Sequence, residues 1–326
     1  MLYTTNKCNS RCKHCAIWQK TEQDVLSLRQ IKELVQDRAI SPDTSIGLEG
    51  GEFLLHKEAE AILAYLSEHH PNYHVLSNGL QSKRMIQLMK RYQPKRLYLS
   101  LDGPRKTYER IRGVDGYNAV IKTIEGVKDC VPVSIMFTLT PWNDFSDLQH
   151  VMAICKKYDL DLRVGIYSEM EYFDTNTCPS NNFMQRYVPS EIPTALKDFP
   201  ENYDFLSLYV PYRNGDLKLK CYSIKDSVVI YPNGDVPLCQ QKHIVLGNIN
   251  NNSLFQIINS PKAIELQKQH QKGCNACWIN FHRKYDVVLY RNVEKLLGRT
   301  ITRKMLGQYQ WHPEKSKNSY RRLVMA

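Results

Sequence analysis

The chain has 326 residues, 42% hydrophobic and 24% charged, which suits about two domains with buried cores and excludes wholesale disorder. No run of about 18 apolar residues could span a membrane, and ten cysteines are far too few for a disulfide scaffold. The net charge of +11 is uneven: residues 281–326 hold 11 Lys/Arg against 3 Asp/Glu, which leaves the first 280 residues at only +3.

A basic tail of this kind attracts nucleic acid, anionic lipid, a phosphorylated substrate or an acidic partner, or simply keeps a helix solvated. Residues 1–7 lack a hydrophobic signal region, so a cytoplasmic location is expected. In that setting clustered cysteines argue for metal rather than disulfides.

Residues 2–5 read as a strand, and residues 28–35 place Leu28, Ile31, Leu34 and Val35 on one helical face. Strand and helix then alternate. Residues 45–48, 73–76, 96–101, 131–139 and 160–166 read as strands, and 59–66, 83–92, 117–127 and 148–157 as helices. Short connections between alternating strands and helices mean βα units and a parallel sheet. Six units fit an α/β fold with an incomplete (β/α)6 barrel, with a flavodoxin-like open sheet as competitor; no glycine-rich phosphate fingerprint follows the first strand.

Beyond residue 167 the pattern turns irregular, with short helices or loops over 188–199 and 203–212. Residues 227–231 and 236–238 flank Asn233-Gly234, a hairpin signal, because Asn-Gly supplies the positive φ of a tight turn. Residues 253–259 and 262–270 read as helices. Three regions follow: a partial barrel over 1–213, a small cysteine-rich domain over 214–284, and a basic tail over 285–326. In the tail, residues 285–297 have helical apolar spacing, suited to covering the barrel, with Gly298 as a stop.

Cys8, Cys12 and Cys15 form a C-x3-C-x2-C run directly after the first strand. A loop can wrap three such thiolates around one compact metal centre. Iron–sulfur cubes normally take four thiolates. The next cysteine, Cys130, precedes the fifth strand and so lies at the opposite mouth of a barrel whose chemistry sits at the C-terminal face. An iron with an open position is the consequence.

The run, with His14 before the third cysteine, resembles the signature of the radical S-adenosylmethionine (radical SAM) superfamily. That resemblance implies a catalytic 4Fe-4S cluster on Cys8, Cys12 and Cys15 whose open iron chelates the cofactor's methionine part. One electron then cleaves the sulfonium bond, and the resulting 5′-deoxyadenosyl radical abstracts a substrate hydrogen. Glu49-Gly50-Gly51-Glu52 after the second strand is similar to the family's glycine-rich motif. Gly50, Gly51 and Glu52 are thus expected near the cofactor's ammonium, and Asn78 of Ser77-Asn78-Gly79 joins these contacts. Ser100 and Arg112 have the family's spacing for groups near the ribose and carboxylate. Asp102 either binds the ribose hydroxyls or shapes its loop. Thr138, Thr140 and Tyr167 should face the pocket rim.

Cys221, Cys239, Cys274 and Cys277 form C-x17-C-x34-C-x2-C. With residues 228–239 and Leu246-Gly247-Asn248-Ile249, this stretch resembles the SPASM/twitch class of auxiliary domains. The resemblance implies one auxiliary 4Fe-4S cluster, and no cysteine follows Cys277 for a second. Spacing alone leaves structural zinc as the alternative. Cys130 and Cys155 fit as small core hydrophobes, and Cys178 falls in the irregular segment.

An oxidation follows naturally, since the auxiliary cluster could accept the second electron, and a flavodoxin or ferredoxin is the expected electron donor. The substrate is a small molecule, favoured by a catalytic loop starting at residue 8, or a peptide delivered by a partner. The competing function, a non-catalytic cysteine–zinc protein on nucleic acid, is disfavoured: three ligands leave a structural zinc incomplete, and basic residues are not interleaved with aromatics along a strand. The sequence carries no signal for oligomeric state.

Overall fold

The computed structural model describes residues 1–167, 171–173, 196, 198–217, 220–242, 244–271, 274 and 277–309. Six strands, β1 (Leu2–Tyr3), β2 (Ile46–Glu49), β3 (Tyr73–Ser77), β4 (Arg96–Ser100), β5 (Val133–Leu139) and β6 (Asp161–Ile166), form one sheet in chain order. Every neighbouring pair is parallel. Helices α1 (Leu28–Val35), α2 (Ala59–His69), α3 (Ser82–Tyr92), α4 (Arg105–Arg112), α5 (Tyr117–Val127) and α6 (Phe145–Tyr158) make the crossovers. A flavodoxin-like sheet would place the first strand between the second and third. The observed order is that of a barrel sector, the expected incomplete (β/α)6 fold.

Local chemistry sets the helix ends. Ser27 and Gln30 close a capping box on α1, as Asp144 and Asp147 do on α6. Helix α4 was not expected from the sequence, because its inward face carries only Thr107, Tyr108, Ile111 and Arg112 among charged neighbours. Its legible signal was the bracket of Pro104 before it and Gly113, at φ +67°, after it.

Strand alternation divides the sheet into two faces. Leu97, Leu99, Ile135, Phe137, Leu162 and Val164 join Met85, Val120, Ile124 and Val151 in the core beneath the helices. The alternate residues, among them Tyr98, Ser100, Met136, Thr138 and Arg163, are half-buried on the inner face. Towards its N-terminal end that face carries a polar network: Arg96 donates to Ser134 (2.9 Å), and Ser134 and Arg163 donate to Asp161 (2.5 and 2.7 Å).

A barrel sector has two open edges, and unpaired edges invite aggregation. At β1, the Tyr3 amide donates to the Ile230 carbonyl (2.9 Å), so the second half of the chain adds a parallel bridge. At β6, the side chain of buried Asn202 imitates a neighbouring strand. Its Nδ2 donates to the Leu162 carbonyl and its Oδ1 accepts from the Val164 amide, both at 3.0 Å.

Asn202 lies on α7 (Pro200–Ser207), followed by α8 (Tyr209–Asn214) and α9 (Ser223–Asp226). A two-stranded antiparallel sheet, β7 (Asp235–Pro237) with β8 (Val245–Asn248), leads to α10 (Leu254–Ile258), α11 (Pro261–Gln271), α12 (Asn280–Leu297) and α13 (Arg299–Leu306). The expected antiparallel pairing forms with shifted strands. Its turn forms, with the Gly234 amide donating to the Tyr231 carbonyl and φ +89° at Gly234. The arm before it keeps one bond across the turn, from the Tyr231 amide to the Asp235 carbonyl (2.9 Å), while Ile230 bridges β1 and the ladder of β7 forms with β8. Helix α12 packs on β6 and α7, covers the barrel as expected, and stops at Gly298. It also runs through the 284/285 division. Residues 188–195, Cys178 and the end of the tail lie outside the described residues. Among those described, no helix is long and apolar enough to cross a membrane.

Asn202→Ala should lower unfolding stability by about 1–3 kcal/mol, the cost of stranding buried backbone groups. Urea midpoints measure this; a change below ~0.5 kcal/mol, the range of ordinary surface substitutions, would show that the edge needs no substitute pairing.

Candidate active site

Past β1 the chain continues through buried Thr4, Thr5 and Asn6 into the cysteine loop at the C-terminal edge of the sheet. Backbone bonds from the β2 loop hold this exit: Thr5 O accepts from Gly51 (2.8 Å) and Lys7 O from Glu52 (2.7 Å). The two segments lie so close that a Cβ on Gly51 would sit 2.2 Å from the Lys7 carbonyl oxygen. Gly50 adopts φ +125°, and a Cβ there would sit 2.6 Å from the Thr5 oxygen. The glycine pair is therefore required by one loop lying against another.

The other residues expected around the cofactor converge on the same loop. The Glu52 carboxylate is buried and accepts from Ser77 Oγ (2.9 Å) and the amides of Asn78 (2.9 Å) and Leu54 (3.2 Å). Burial raises its pKa, against those three bonds. Asn78 Nδ2 reaches Asn9 Oδ1 (2.8 Å), Ser10 Oγ (3.2 Å) and Cys8 Sγ (4.0 Å). Arg112 Nε donates to fully buried Asp102 (2.5 Å), while its Nη1 lies 3.7 Å from Cys12 Sγ. The Arg112 and Ile111 carbonyls accept from the Arg11 and Lys13 amides, both at 2.9 Å. Asp102 also takes the Thr138 amide (3.3 Å). Ser100 stands half-buried on the inner face of β4, Thr140 is bound into a turn by Asn143, and Tyr167 is buried.

Cys8 feels the charge of Cys12, and Cys15 that of both. Burial pushes Cys8 up to about 11 and Cys15 up to about 12, and it raises Cys12 against the opposing Arg112 guanidinium. Burial, then Arg112, brings His14 down to about 4, and its buried Nδ1 has no hydrogen-bond partner among the described residues. Cys130 donates to the Val127 carbonyl ahead of β5, at the far end of the sheet, and Cys155 is buried in the core.

Tyr3, Ile17, Tyr172, Val229 and Tyr231 form an apolar cluster against which Cys8 and Cys15 pack. Tyr172 and Tyr231 stack at 3.9 Å, and the Tyr3 hydroxyl bonds to Gln240, next to Cys239. The cluster thus joins the two cysteine groups.

In the second group, burial raises Cys221 and Cys239 and pushes Cys277 up to about 12, with the other three thiols adding to the effect on Cys277. Among the described residues no three His, Cys, Asp or Glu draw together as closely as ligands of a single ion. What gathers in each group is soft sulfur beside a buried arginine, Arg112 or Arg283, and these donors fit an iron–sulfur cluster. Asn9, Ser10, Tyr3, Gln240 and Arg283 lie within six residues of a cysteine but were not legible as site residues, because their contacts, with Asn78, with one another and with Tyr212, form only on folding.

Residues 2–154 match the Radical SAM superfamily, and residues 221–278 match SPASM, an iron-sulfur cluster-binding domain. The antilisterial bacteriocin subtilosin biosynthesis protein AlbA of Bacillus subtilis (strain 168) is 27% identical over 271 residues, 79% of this chain and 58% of AlbA. The chain spans less than two thirds of the length of the curated relatives it matches. In fold it resembles Streptococcus suis SuiB bound to S-adenosylmethionine, with a TM-score of 0.60 at 15% identity over 82% of this chain and 66% of SuiB. It also resembles anSMEcpe with bound AdoMet, with a TM-score of 0.60 at 17% identity over 93% of this chain and 94% of that one.

Gly51→Ala should cost about 1–3 kcal/mol as overpacking and cut iron uptake on reconstitution to what the second group alone holds. Wild-type uptake would show that the loop contact tolerates the extra carbon.

Proposed function

We propose that this chain, which belongs to the Radical SAM superfamily and carries an iron–sulfur cluster-binding SPASM domain, oxidises a peptide by radical chemistry. The carrying observation is the gathering of Cys8, Cys12 and Cys15 on one pinned loop, with Cys130 at the opposite end of the sheet. Three thiols leave one iron of a four-iron cluster free for S-adenosylmethionine. When bound, that cluster supplies the electron that cleaves the cofactor, and hence the 5′-deoxyadenosyl radical that abstracts a substrate hydrogen.

The chain's own residues supply position and charge. Arg112, held by Asp102, offsets the thiolates' charge; burial opposes its cation, but Asp102, Cys12 and Tyr108 outweigh that and raise its pKa. Asn78 and Glu52 act through the loop they hold. Ser100 and Thr138 offer hydroxyls on the inner face where a substrate would lie. Cys221, Cys239, Cys274 and Cys277 hold an auxiliary cluster, suited to a net two-electron oxidation with a flavodoxin or ferredoxin as reductant.

A peptide is preferred because AlbA, which aligns across both halves of the chain, is named for making a bacteriocin, a peptide antibiotic. The position of the catalytic loop at residue 8 does not weigh against this, because the chain spans only part of its relatives' length.

Reconstituted anaerobically with S-adenosylmethionine and dithionite, the protein should form 5′-deoxyadenosine, and Cys12→Ala should reduce this to background. Persistence of the product in Cys12→Ala would refute the assignment. Cys277→Ala should lose the iron of one cluster while keeping part of the cleavage; unchanged iron would count against the second site. Mass spectrometry of candidate peptides should show lost hydrogen, whereas turnover of small molecules alone would overturn the peptide assignment.

A further inference from the structure

Arg283 lies on α12, six residues past Cys277, and is 1% exposed. A buried guanidinium needs partners, and three of them come from different parts of the chain. Nη1 donates to Asp286 (3.1 Å) and to the Lys220 carbonyl (3.4 Å), which adjoins Cys221. Nη2 donates to Tyr212 Oη (2.6 Å), which itself donates to the Cys274 carbonyl (2.9 Å). The guanidinium also lies over the Tyr212 ring at 4.7 Å and the Trp278 ring at 5.9 Å. Arg283 thus ties together the segments that bear three of the four cysteines.

Two further facts point past a purely mechanical role. The guanidinium lies against residues adjoining two of the ligands, the Lys220 carbonyl beside Cys221 and the Trp278 ring beside Cys277. Its Nε, moreover, is buried and has no hydrogen-bond partner among the described residues. Cluster potentials respond to net charge and to hydrogen bonds at sulfur, and a cation in a poorly screened interior stabilises the more negative, reduced state.

We infer that Arg283 is a positioning and charge-balancing residue that raises the reduction potential of the cluster held by Cys221, Cys239, Cys274 and Cys277, with Asp286 moderating it. The inference rests on the auxiliary cluster proposed above and adds the residue that tunes it.

The test is a redox titration of the full-length reconstituted protein, followed by electron paramagnetic resonance with iron counted in parallel. Arg283→Met should lower the auxiliary potential, moving the one-electron equilibrium tenfold or more, about 59 mV. Arg283→Lys should stay near wild type, and Asp286→Asn should move the potential upward. Full iron with an unmoved potential in Arg283→Met would reduce Arg283 to a structural tie and overturn the inference. Should Arg283→Met fail to take up the second cluster, Asp286→Asn decides: an upward shift supports the role and no shift refutes it. Wild-type protein holding iron for only one cluster would instead remove the auxiliary-cluster assignment, and this inference with it.

Discussion

The structure depends on a contact that tolerates no side chain: the backbone of Gly50 and Gly51 against the carbonyls of Thr5 and Lys7. It extends the pairing of β1 and β2 past the end of the sheet and fixes where the cysteine loop leaves the barrel. Asn78 at the end of β3 then holds the loop at Cys8, Asn9 and Ser10, and α4 holds it at Arg11 and Lys13. Three successive βα connections therefore fix one loop. Holding the ligands through such supporting contacts is the preorganisation a reactive cluster needs.

Charge follows the same plan at both cysteine groups. Each group of largely half-buried cysteines has a buried arginine nearby, and each arginine is paired with an aspartate: Arg112 with Asp102 and Arg283 with Asp286. Gathering thiolates in a poorly solvated interior is costly without a compensating cation. The aspartates in turn hold each guanidinium at one position, so the compensation is directional.

The two halves of the chain are one construction. The open edge of β1 is closed by Ile230, from the segment that precedes β7, and the open edge of β6 by Asn202 and α12. Tyr3 belongs to the first strand, yet its ring packs among Tyr172, Phe173 and Tyr231 and its hydroxyl meets Gln240. An edge that would otherwise invite aggregation becomes the seam along which the two cysteine groups are joined.

Periodicity and punctuation in the chain were enough for the barrel, for the loop bearing Cys8, Cys12 and Cys15, and for the second cysteine group, because strands, helices and ligand spacings are written in neighbouring residues. Helix α4 and the pairing of β7 were not legible that way. The first has a thin apolar face, and in the second the partner is the downstream strand β8 rather than the arm before the turn. The hydrogen-bond partners of Glu52, Asp102 and Arg283 were likewise fixed only in three dimensions. Whether a buried carboxylate or guanidinium faces a ligand or the protein depends on which distant donors and acceptors surround it, and short-range sequence pattern carries no record of such neighbours.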